Sequence, residues 1–126
     1  MKPRDTALRL KQFEADEKGR KVADLQAMIR DFENMASDLD RQIRAEEDRT
    51  GVRDANHFAY STFAKSAAQR RDNLKASADE LRTKLEAAQK ERDEAVAQLN
   101  RVSNGEQRDD ARARRRPDRP HAAMMR

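Results

Sequence analysis

The chain has 126 residues, of which 41% are charged, 36% hydrophobic and only 4% aromatic, with no Cys and no Trp. That length holds at most one domain, and so few large apolar side chains cannot build a compact globule; the mix is that of a long-helix or coiled-coil protein. The missing Cys excludes a disulfide framework and a thiolate zinc site, and no stretch approaches the roughly 20 apolar residues of a membrane span. The N-terminal run MKPRDTALRLKQFEADEK lacks the apolar core of a signal peptide, so a soluble, cytoplasmic protein is expected. The formal charge of +4 is uneven: from Glu106 onward seven Arg stand against four acids.

In chain order, Pro3 and Asp5 mark a helix start, with Asp5 or Thr6 expected to cap its free N–H groups. Leu8, Ala15 and Val22 fall at heptad position a and Lys11 and Lys18 at d, while Leu10 and Phe13 lie off that line. Gly19 falls at an e position, where it costs about 1 kcal/mol against Ala. Over 22–43, Val22, Leu25, Ile29, Phe32, Ala36, Leu39 and Ile43 recur in alternating steps of three and four. This is the pattern of a helix laid along another helix. The residues between are mostly charged or polar, so the seam is narrow, and Met28 and Met35 widen it on one flank.

The first helix is expected to end near Arg49, with Gly51 just past its end and a turn over about 50–54. Asp54 or Asn56 then caps a second helix over about 55–102, whose seam includes Tyr60, Ala64, Arg71, Leu74, Ala78, Leu81, Leu85, Arg92 and Leu99. Ser103-Asn104-Gly105 reads as its stop. Folding at the turn brings Ile43 to Ala64, Ile29 to Ala78, Val22 to Leu85, Ala15 to Arg92 and Leu8 to Leu99. Through much of that set large residues meet small ones, which favours an antiparallel hairpin, monomeric when free, over a self-paired parallel dimer.

The expected fold is therefore all-α: two long helices in an antiparallel coiled-coil hairpin over 5–103. Its core is Val22, Leu25, Ile29, Phe32, Leu39, Ile43, Leu74, Leu81, Leu85 and Leu99. A disordered Arg-rich tail follows over 104–126.

Asp54, His57 and Ser61 have helix-compatible spacing, but a two-helix assembly offers no oxyanion hole, so no catalytic residue is expected. Asp54 is better read as the cap of the second helix and His57 as part of its first turn. His57 and His121 are too far apart for a metal site, and no Gly-rich phosphate loop is present, so neither metal nor cofactor is expected. The segment HFAYSTF gathers His57, Phe58, Tyr60 and Phe63 beside the turn. A two-helix tip buries two such rings, leaving an exposed one to anchor a partner. At the opposite, open end Leu10 and Phe13 form a second candidate partner contact.

The run DEKGRKVADLQAMIRDFENMASDLDRQIRAEEDRTGVRDANHFAYSTFAKSAAQRRDNL (16–74) resembles the flagellar export protein FliJ family, in hairpin length, in the TG turn and in the HFAYSTF segment after it. The resemblance implies a non-enzymatic antiparallel coiled coil, similar to a rotary-ATPase stalk. It would work in the cytoplasm, peripheral to the inner membrane at the flagellar base, in type III protein export. The implied partners are the hexameric flagellar export ATPase, the export-gate membrane protein and the export chaperones. Two other classes stay open. One is a generic coiled-coil scaffold or secretion chaperone; the other is a nucleic-acid-binding protein acting through the Arg-rich tail.

Overall fold

In a computed structural model of the chain, residues 2–115 are described. They form two long helices packed against each other, α1 (Pro3–Thr50) and α2 (Thr62–Arg115), with no strand among the described residues. The fold is the expected all-α antiparallel hairpin; the ends of its elements differ from expectation in several places.

Helix α1 starts earlier than Asp5. Pro3 occupies its first position, where the missing N–H would have had no partner in any case. Lys2, not Asp5 or Thr6, is the capping position, its carbonyl accepting the N–H of Asp5 at 3.0 Å and of Thr6 at 3.3 Å. Asp5 instead sits in the first turn, where its charge faces the positive end of the helix dipole. At the other end Gly51 adopts φ +74°, and its N–H bonds the Glu47 carbonyl at 2.8 Å. This left-handed closure is open to glycine at little cost.

Helix α2 begins at Thr62, not near Ala55, and the connection runs over 51–61. Ser61 is its cap, with Oγ accepting the Ala64 N–H at 3.2 Å. Asp54, expected as the cap, is committed to a turn of its own: Oδ1 accepts the Asn56 N–H at 2.9 Å. His57 likewise lies outside the helix. The helix also continues through Ser103-Asn104-Gly105 to Arg115, so the disordered tail expected from 104 is corrected over 104–115. Among the glycines only Gly51 has positive φ. A lone helical glycine costs about 1 kcal/mol, and the Gln, Arg and Ala that follow Gly105 are good helix formers. The remainder of the expected tail, 116–126 with Arg116, Arg119 and His121, lies outside the described residues.

The chain divides into two units by its contacts, one being Lys21–Ala88 and the other comprising 2–20 with 89–115 among the described residues. In the Lys21–Ala88 unit, Val22, Ile29, Ala36 and Ile43 are buried at seven-residue steps along α1. Ala64, Ala67, Ala78, Leu81 and Ala88 are buried opposite. Of the expected core, Val22, Ile29, Ile43 and Leu81 are buried, whereas Leu25, Phe32, Leu39, Leu74 and Leu85 are half-buried. No large side chain among the described residues reaches complete burial, as a seam between only two helices dictates.

Ile43 meets Ala64 and Ala67, with Leu39, Tyr60 and Ala68 packed against them. Farther from the turn the grooves associate Ala36 with Ala78 and Ile29 with Leu85. The large-on-small pairing therefore holds at Ile43, while Ala36 and Ala78 line one groove together.

In the unit formed by 2–20 and 89–115, Ala15 and Ala95 are buried and Leu8 and Leu99 half-buried. Lys11 and Lys18 occupy seam positions by laying their stems along it and carrying the ammonium to its edge. Lys11 Nζ donates to Gln98 Oε1 at 3.0 Å, and Lys18 Nζ pairs with Glu91 at 3.2 Å.

Candidate partner-binding surfaces

The connection between the helices is built from short local bonds. The Asp54 carbonyl accepts the His57 N–H at 3.0 Å, and the His57 carbonyl accepts the Tyr60 N–H at 3.0 Å, so two tight turns follow one another. His57 Nδ1 accepts the Ala59 N–H at 3.0 Å. Two bonds then anchor the far end of this segment to α1. Tyr60 donates its hydroxyl to Glu47 at 2.9 Å, and Ser61 donates Oγ–H to Glu46 at 3.0 Å. Arg49 and Ser61 together hold the Glu46 carboxyl below its usual range. Desolvation, reinforced by the neighbouring Glu47 carboxylate, pushes the Tyr60 phenol up.

Those anchors sort the four tip residues expected to act together. Tyr60 is half-buried and belongs to the packing around Ile43. Phe58 is 96% exposed and stacks on His57 with ring centroids 4.6 Å apart, so these two project together from the turn. Phe63 is 54% exposed but lies on the first turn of α2, lining a groove with Leu39, Gln42 and Ala67. Asp54, His57 and Ser61, noted above for their spacing, are each bound into the turn: Asp54 to Asn56, His57 to Ala59, Ser61 to Ala64 and Glu46.

Glu46, Glu47 and Ser61 were not singled out from the sequence as determinants of this tip. A signal existed for Ser61, which stands three residues before the buried Ala64, the spacing of a cap from the third residue of its helix.

The other expected contact is also exposed. Leu10 and Phe13, three residues apart and so neighbours on α1, are 55% and 59% exposed.

The two flanks of the Lys21–Ala88 seam differ. One carries ion pairs between the helices, Glu33 with Arg82 and Asp40 with Arg71 at 2.9 Å, around a groove floored by Ala36 and Ala78. The Arg71 guanidinium holds the Asp40 carboxyl below its usual range, despite some opposing desolvation. The other flank is apolar. Met28, Met35 and Phe63 stand exposed along it, beside half-buried Leu39 and Leu74. Two adjoining grooves on this flank share Leu39, Gln42 and Arg70 in their linings.

No helix among the described residues is long and apolar enough to cross a membrane. Comparison of the chain with family models, with characterised proteins and with solved structures gives no match.

Proposed function

We propose that the chain is a non-enzymatic coiled-coil stalk of a flagellar type III protein export apparatus. In this reading it links the cytoplasmic export ATPase hexamer to the export-gate membrane protein and escorts export chaperones. Its place is the cytoplasmic side of the inner membrane at the flagellar base. The observation that carries the reading is the tip. A phenylalanine left 96% exposed, on a segment anchored at Glu46 and Glu47, serves contact better than folding. The exposed Leu10 and Phe13 supply a second contact, assigned to the ATPase ring.

The test combines capture and motility. Phe58→Ala should weaken capture of the export gate roughly tenfold or more, the loss typical of an aromatic anchor, with helicity unchanged by circular dichroism. Leu10→Ala/Phe13→Ala should lose stimulation of the export ATPase while gate capture persists. A deletion strain that swims normally, with no capture of ATPase or gate by the wild type, would leave the generic scaffold reading in its place.

A further inference from the structure

We propose that the apolar flank of the Lys21–Ala88 unit binds a second copy of this chain, the two hairpins lying side by side about a two-fold axis parallel to the helices. The proposal stands apart from the stalk reading, because it needs only the flank.

Its floor is apolar. Met35 (48% exposed) and Phe63 (54% exposed) stand beside Leu39 and Leu74, which α1 and α2 alone leave half-buried. Contiguous apolar surface of this kind marks an interaction site. The opposite flank differs in kind: its grooves are rimmed by charged side chains already engaged with each other, Glu33 with Arg82 and Asp40 with Arg71.

The rims decide the occupant. On the α1 side Asp38, which also pairs with Arg41 on its own helix, lines the groove, and Asp31 and Asp24 precede it at seven-residue steps along the same edge. On the α2 side Arg70 lines the groove, and Lys84 follows two heptads later. Asp38 and Arg70 belong to one groove and so lie at one level. Because α1 and α2 run in opposite directions, Asp24 and Lys84 share a level too. A two-fold axis along the helices sets α1 of one copy over α2 of the other without shifting levels. Asp38 then meets Arg70, and Asp24 meets Lys84, on both sides of the axis, as an isologous interface requires. Turning the second copy end for end would instead lay α1 on α1 and face acid with acid, which is repulsive. A second copy thus carries the complement to this flank by construction, and in one orientation only.

The experiment is sedimentation of the full chain from about 1 μM to 1 mM, the range in which modest interfaces associate. Wild type should pass from monomer to dimer. Asp38→Arg alone and Arg70→Asp alone should each weaken association roughly tenfold or more, with helicity unchanged, because each sets like charges at both crossings. An equimolar mixture of these two variants should dimerise like wild type, since the mixed pair again opposes one cation to one carboxylate at each crossing. The chain has no cysteine, so orientation can be read directly. Asp38→Cys mixed with Arg70→Cys should form an intermolecular disulfide on oxidation, and Asp38→Cys alone should not. A wild type that stays monomeric throughout, a variant mixture that fails to associate, or self-cross-linking of Asp38→Cys would each overturn the proposal.

Discussion

Ile43→Ala probes whether this thin seam is held by its few large residues. Ile43 is 6% exposed and packs on Ala64 and Ala67, which contribute little apolar volume of their own. The substitution removes three carbons. At about 0.8 kcal/mol for each buried methylene this costs about 2.5 kcal/mol, near the lower end of the 2–5 kcal/mol typical of isoleucine truncations. The lower end applies because the site lies between only two helices, whose flanking side chains can close on the gap. For a chain of this size the loss corresponds to a fall in Tm of roughly 10–20 °C. Urea and thermal unfolding should be followed by far-UV circular dichroism for the helices. Fluorescence of Tyr60, the one tyrosine of the chain, reports the cluster around Ile43. Leu10→Ala, at a site 55% exposed, is the control and should cost less than about 0.5 kcal/mol. Equal losses for Ile43→Ala and Leu10→Ala would refute the reasoning and place the stability in helix propensity alone.

Ser61→Ala should cost about 1–2 kcal/mol by removing the cap of α2 and the bond to Glu46, and amide exchange should rise first over the opening turn of α2. Gly51→Ala should destabilise by about 1 kcal/mol through its φ of +74°, although open space surrounds the site; Gly105→Ala, in ordinary helical backbone with nothing nearby, should stabilise by roughly 0.5–1 kcal/mol and raise helicity. Asp40, whose carboxyl Arg71 holds low, contributes stability present above its ordinary pKa of 3.8 and lost as pH falls through the lower folded value. In acid titrations followed by thermal melting, wild type should therefore exceed Asp40→Asn by about 0.5–1 kcal/mol near pH 6, with the gap closing below about pH 4.

The heptads of α1 were legible because every seventh residue is a burial step: Ala15, Val22, Ile29, Ala36 and Ile43 are the buried residues along it. Gly51 was legible too, since few residues tolerate the left-handed conformation that ends a helix. The start of α2 was not. Asp54 and Ser61 are both competent caps, and the positions of Glu46 and Glu47 across the turn help define the segment, a tertiary fact that local pattern does not hold. Gly105 misled for the opposite reason: one unfavourable residue was weighed as a stop, when the helix formers beyond it outweigh its cost. The pairing was only partly legible because the buried seam of α2 is mostly alanine (64, 67, 78, 88 and 95), and small side chains discriminate poorly between neighbouring registers. For the candidate surfaces, counting rings beside a turn anticipated an exposed ring but expected two to be buried, whereas Phe58 and Phe63 are both exposed and Tyr60 is half-buried, because the short local turns of 54–60 hold the rings off the seam. The contrast between an ion-paired flank and an apolar one required knowing how the two helices face each other.

The connection over 51–61 also bears on how such a protein diversifies. Residues 53–59 are all exposed, and their bonds are made within the segment or to Asp48 at the end of α1. Lengthening a flexible loop twofold costs only about 0.6 kcal/mol in closure entropy, so insertions between Asn56 and Phe58 leave the helical seam almost untouched. The exposed surface of this segment can therefore be rewritten, by exchange or by growth of a few residues, without renegotiating the alanine-lined contact beneath it.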